Sequence, residues 1–126
     1  MELLLIYALG AELYGAIEIL WRGRTHWTML LCGGVCFTIM YLISAAALPF
    51  WLKCVLSALA VTLVELIAGI LVNIIFAWDV WDYSHMAYNL LGQICPVFSL
   101  CWLMLSVPGL MLCVVMRRLF QSSLFL

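Results

Sequence analysis

Apolar residues run almost unbroken through four stretches of this chain, Leu3 to Trp21, Trp27 to Leu48, Leu52 to Ala77 and Tyr88 to Met116. A helix that crosses a bilayer needs about 20 predominantly apolar residues, so each stretch predicts a membrane span. Punctuation falls between them: Arg22-Gly23-Arg24-Thr25-His26, then Pro49 with Lys53, then Trp78 to Asn89, and finally Arg117 and Arg118. The pattern predicts an all-α integral membrane protein, a bundle of four transmembrane helices forming one membrane domain over residues 1–126. Pro96 and Pro108 fall inside the fourth stretch, where each removes a backbone donor and can kink the helix. The run Ser106-Val107-Pro108-Gly109 could end it and leave an interfacial tail.

Helices that cross alternately bring the first and third connections to the same side. That side collects Arg22, Arg24, His26, Asp79, Asp82, Ser84, His85 and Asn89, ringed by Trp21, Trp27, Trp78 and Trp81 at interfacial level. The opposite side offers little beyond Lys53, Arg117, Arg118 and Trp51. Three Lys or Arg lie on the side of the termini and two on the polar side, a count that favours cytoplasmic termini.

The polar residues inside the spans carry the functional signal, because a charge at the bilayer centre costs roughly 2.5 to 3.5 kcal/mol on insertion scales. Thr62, Glu65, Gly69 and Asn73 recur at +3, +4 and +4, so they fall within about 80° of one another on one stripe of the third span. On the first span Glu12, Gly15, Ile19 and Arg22 share a face, and Glu18 precedes Arg22 by four residues, the favourable order for an ion pair. Glu12 lies roughly 14 Å below Trp21 and Glu65 roughly 20 Å below Trp78, which puts both near the midplane. If the two faces meet, they form a carboxylate pair that must share a proton or hold a cation between its members. The structural alternative is that the acids bond across helices to Thr62, Asn73 or a carbonyl and hold the bundle together. Three acids and Asn73 on converging faces favour a polar cavity.

The third connection is dense in binding groups. Asp82 and His85 at i, i+3, with Asp79 or His26, are candidate metal ligands, although their spacing matches no closed site. Packing of this loop over the first, with Asp79 or Asp82 paired to Arg22 or Arg24, would close a lid over the cavity. Ala11 with Gly15, and Gly33-Gly34, suit close helix approach.

Composition agrees with the pattern: 69% hydrophobic and 9% charged residues with a mean hydropathy of +1.26, against about a quarter charged in soluble domains. With a net charge of −1 and no basic run, no nucleic-acid partner is expected. Met1-Glu2-Leu3-Leu4 lacks the positive start of a signal peptide, so the first span is expected to be retained. The six cysteines lie in or beside apolar spans, where a thiol packs as a small apolar group; Cys32 and Cys36 share a helical face. No phosphate loop, His-Glu-x-x-His, Gly-x-Ser-x-Gly or haem-attachment motif is present, so no ATPase or hydrolase activity and no cofactor are expected of the chain itself.

These residues together resemble a family. Gly10-x-Glu12-x-Tyr14-x(3)-Glu18, Arg22-Gly23-x(2)-His26-Trp27, Thr62-x(2)-Glu65-x(3)-Gly69-x(3)-Asn73, Val80-Trp81-Asp82-Tyr83-Ser84 and Asn89-x(2)-Gly92-Gln93-Ile94-Cys95 resemble the ABC-transporter type IV membrane proteins, the CmpB-like permease family of Gram-positive and gut bacteria. Ala11 and Thr25 depart from its commoner Gly and Ser. The resemblance implies a permease-like component of a bacterial cytoplasmic membrane with a separate ATPase as its energy source. It supports a ligand site of Glu12, Glu18, Arg22, His26, Glu65, Asn73, Asp82, Asn89 and Gln93. Four spans are few for a translocation path, so a homo-oligomer or a second membrane subunit is expected in the bilayer. Three functions compete: transport of a cation, proton or small polar solute; a non-catalytic scaffold or regulatory subunit; and an enzyme acting on lipid headgroups through His26, Asp82 or His85.

Overall fold

A computed structural model describes residues 1–123. Four helices account for most of them: α1 (Glu2–Arg22), α2 (Trp27–Ser44), α3 (Phe50–Gly69) and α4 (Pro96–Ser123), with α3 prolonged by a π-helical stretch, Ile70–Ile75. Each of the four is long and apolar enough to cross a membrane. Large apolar side chains such as Leu4, Leu20, Leu59 and Met104 are exposed on the outside of the bundle, as they are when lipid is the solvent.

Local chemistry sets the helix ends. Gly23 stops α1 in the left-handed region, φ 74°, with its N–H returned to Ile19 O. His26 starts α2 by accepting from Thr28 N through its ring nitrogen. Pro49 precedes α3 and Pro96 opens α4, the first helical turn being where a missing N–H costs nothing. The fourth helix therefore begins at Pro96 and not near Tyr88, and it continues through Pro108 to Ser123 without ending at the Ser106–Gly109 run.

The central helix is α2, which packs on α1, α3 and α4, while α4 also packs along α3. Glycines allow α1 and α2 to touch: a Cβ on Gly33 would stand 2.3 Å from Tyr14 Cβ, and one on Gly10 would meet Phe37 and the Gly33 carbonyl. Gly10, not Ala11, is the small residue in that contact.

Two apolar clusters lie at opposite ends of the bundle. Ile6, Phe37, Met40, Tyr41, Cys54, Leu110 and Cys113 fill the end that carries the termini; Met29, Val72, Val80 and Trp81 fill the polar end. The terminal end is also tied by charge. Arg117 stacks over the Tyr41 ring at 4.3 Å and donates to the Tyr41 carbonyl and, at 3.1 Å, to Ser44 Oγ. Lys53 donates to the Ser44 carbonyl at 2.9 Å, and the Tyr41 hydroxyl donates to Glu2. The cations thus meet carbonyls at the end of α2, where the helix dipole favours them.

Candidate functional site

The polar end is built around residues 76–95, which turn back onto the bundle and do not simply bridge two spans. Ala77, Asp79, Tyr88 and Leu91 take φ between 52° and 56°, a conformation that costs a non-glycine residue energy and persists where its surroundings over-determine it. Those surroundings come from the polar stripe of α3. The π-helical stretch carries Asn73, whose Oδ1 accepts from Val80 N at 2.7 Å and whose Nδ2 donates to Gln93 Oε1 at 2.7 Å. Gln93 Nε2 in turn donates to Leu91 O, and Trp81 Nε1 donates to Gln93 O. Gly69 makes room for this knot, since a Cβ there would lie 2.5 Å from Gln93 Oε1.

Asn89 and Asp82 shape the rest of the segment. Asn89 donates to Ser84 O and Met86 O and accepts from Gly92 N; Asp82 Oδ1 accepts from Ser84 N at 2.8 Å. That bond to Ser84 holds the Asp82 carboxyl below the usual range. Asn73, Asp82, Asn89 and Gln93 therefore spend their polar groups on their own chain.

Glu65 stands apart from this framework. It is 6% exposed, accepts from Trp102 Nε1 at 3.1 Å and from the Tyr83 hydroxyl at 3.5 Å, and has no ion-pair partner among the described residues. Burial, and next the nearby Glu65 carboxyl, push the Tyr83 phenol above its ordinary range, which leaves it a donor at neutral pH. Tyr14 stacks on Trp102 with ring centres 5.5 Å apart, and Tyr83 stacks on Phe98 at 4.6 Å.

On the far side of these rings a cavity of about 390 Å³ lies between α1 and α4, lined among others by Tyr14, Glu18, Arg22, Trp81, Tyr83 and Trp102. Tyr83 and Trp102 line it with their rings while their donors point to Glu65. Beside Glu65 itself is a void of only about 10 Å³, shared with Cys32 and Cys36, about the room of one water.

The expected Glu18–Arg22 pair forms at 2.6 Å, and Arg22 reaches the loop through Val80 O, not through Asp79 or Asp82. The expected Glu12–Glu65 pair does not form. Glu12 is exposed on the outer face of α1, whereas Glu65 is bonded to α4 and residues 76–95; Tyr14, two residues on, takes the inward position. His26, in the connection between α1 and α2, lies against Trp27 and Trp78. Among the described residues no three His, Cys, Asp or Glu side chains converge as a metal site, so Asp79, Asp82, His85 and His26 are not gathered into one. Tyr14, Tyr83 and Trp102 were not among the expected ligand-site residues. Their signal was present, since each is an aromatic residue with a polar tip within one span or loop of an intramembrane acid.

A family model described as "Putative ABC-transporter type IV" matches residues 5–124. The chain belongs to this family. The match takes in all four helices and residues 76–95, so the Glu65 pocket and the cavity are features of a member of the ABC-transporter type IV family. No curated protein and no solved structure matches the chain.

Proposed function

We propose that this multi-pass membrane protein is the membrane-spanning component of a transport system driven by a separate ATPase, and that Glu65 is the group that binds or exchanges a cation, a proton or a small polar solute. The observation that carries the reading is a carboxyl buried within the spans that meets only neutral donors, Tyr83 and Trp102. A carboxyl so placed either holds a proton or pairs with a cation that arrives, and exchange between the two is the chemistry of a coupled site. Residues 76–95 close the site from above, and Glu18 with Arg22 forms its rim. The family membership supports the ATPase partner, and the Lys and Arg count supports cytoplasmic termini in a bacterial cytoplasmic membrane. Glu12, exposed in mid-span, supports a further membrane chain, a second copy or another subunit, packed on the outer face of α1.

A non-catalytic scaffold is the second reading. It is favoured by the internal bonds of Asn73, Gln93, Asn89 and Asp82, which hold the chain together and leave little for a ligand.

The deciding experiment follows carboxyl infrared bands of the lipid-reconstituted protein against pH and added Na⁺, K⁺ or choline, with Glu65→Gln assigning the band. A Glu65 band that responds to proton or cation supports the transport site. A band indifferent to pH and to all three ions leaves the scaffold.

A further inference from the structure

The cavity between α1 and α4 narrows the chemistry of what arrives. Resting on the transport reading above, we propose that its ligand is an amphiphilic organic cation of the quaternary ammonium or phosphonium class, taken sideways from the bilayer. The α1–α4 seam is where the bundle is held least, because α1 packs mainly on α2 and α4 on α3 and α2, and the Tyr14–Trp102 stack is the contact that bridges it beside the cavity. At about 390 Å³ the cavity is of small-molecule size, within the roughly 300–1,000 Å³ of ordinary ligand pockets.

Its walls select for positive charge without demanding hydration. Tyr14, Trp21, Trp81, Tyr83, Phe98 and Trp102 all contribute aromatic surface, and the negative faces of such rings attract cations, most strongly when these are poorly hydrated. Below them Ile17, Met104 and Leu105 offer an adaptable apolar floor for hydrocarbon substituents.

Charge balance points the same way. Arg22 and Glu18 cancel each other at the rim, which leaves Glu65 behind the wall as a buried acid with no ion-pair partner among the described residues, one that a cation in the cavity would favour in its ionised form. The void beside Glu65 holds no more than a water, so the ligand stays on the cavity side and feels Glu65 through the rings. Trp102 transmits that charge: its indole N–H donates to Glu65, and an indole polarised by a carboxylate carries a more electron-rich face. An anion would meet the negative faces of the rings, and a neutral hydrocarbon would gain nothing from the acid behind them.

The test is equilibrium binding of labelled tetraphenylphosphonium to the intact chain in lipid nanodiscs, corrected with empty nanodiscs, beside its anionic isostere tetraphenylborate. We expect saturable binding of the cation and none of the anion, with affinity falling at least about tenfold in Glu65→Gln, as when one partner of a buried charge pair is removed. Trp21→Ala, at a side chain 75% exposed, should lower affinity about two- to fivefold, the value of one exposed cation–π contact. Circular dichroism confirms that each variant is folded. Cation binding no greater than in empty nanodiscs, equal binding of anion and cation, or undiminished binding in folded Glu65→Gln would overturn the proposal. Should the cation fail to bind while the Glu65 infrared band still answers to proton or Na⁺, the substrate class is wrong and the transport site stands; failure of both removes the site.

Discussion

Replacing Asn73 by alanine tests whether one side chain holds residues 76–95 in place. The substitution strips the acceptor from Val80 N–H and the donor from Gln93 Oε1, both at 2.7 Å, in residues only 7% and 5% exposed. A buried polar group left without a partner costs about 1–3 kcal/mol, so the two together predict a loss of about 2–6 kcal/mol. Side-chain hydrogen bonds between membrane helices average nearer 0.6 kcal/mol, because the unfolded chain in the membrane finds other partners. Val80 N–H belongs to the connection between spans and is buried once folded, so the cost of an unpartnered buried group applies to it. Asn73→Asp keeps the acceptor and loses the donor, and should fall between wild type and alanine. Equilibrium unfolding in mixed micelles, followed by circular dichroism, gives the free energies, and limited proteolysis between residues 76 and 95 reports the segment itself. Stability of Asn73→Ala within about 0.5 kcal/mol of wild type, with cleavage no faster, would refute the reasoning.

Two further changes probe the bundle. Gly33→Ala places a methyl 2.3 Å from Tyr14 Cβ, so α1 and α2 must separate; a loss of about 1–3 kcal/mol is expected from overpacking, and an unchanged thermal midpoint in detergent would count against that contact. Glu12→Leu removes an exposed mid-span carboxyl and should favour insertion of α1 by about 2.5–3.5 kcal/mol, while reducing cross-linking of the α1 outer face to any partner chain. Insertion no better than wild type in a glycosylation-reporter assay would show that Glu12 is already neutralised.

The four spans were legible because apolar runs of this length have one explanation, and so were the turn at Gly23, the Glu18–Arg22 pair and the polar stripe from Thr62 to Asn73. What that stripe faces was not legible. A helix apolar on every side gives no sign of its rotation, so the inward residue of α1 could be read as Glu12 when it is Tyr14. The segment Tyr88–Cys95 was read as helix because it is apolar enough; its left-handed residues at Tyr88 and Leu91 follow from tertiary bonds through Asn73 and Gln93, which no local pattern announces. Pro96 did mark the true start of α4, in the position where proline is favoured. That Asn73, Asp82, Asn89 and Gln93 bond to their own chain was not legible for a related reason: amides and carboxylates that fasten an irregular backbone look the same in sequence as those that await a ligand.

The bonds at Tyr41 have a mechanical consequence. Glu2 of α1 and Arg117 of α4 both fasten to that one residue of α2, so the two helices are pinned at one end, while toward the other the Tyr14–Trp102 stack joins them directly. Were that stack to part, Tyr41 would serve the two helices as a common fulcrum. From Arg117 to Phe98 the arm is about 28 Å long at 1.5 Å per residue, and a swing of about 10° carries Phe98 through about 5 Å, roughly the width of an aromatic ring's passage. Admission through the bilayer would then need no sliding of whole helices, and cutting the pin at Arg117 would loosen the mouth of the cavity from its far end.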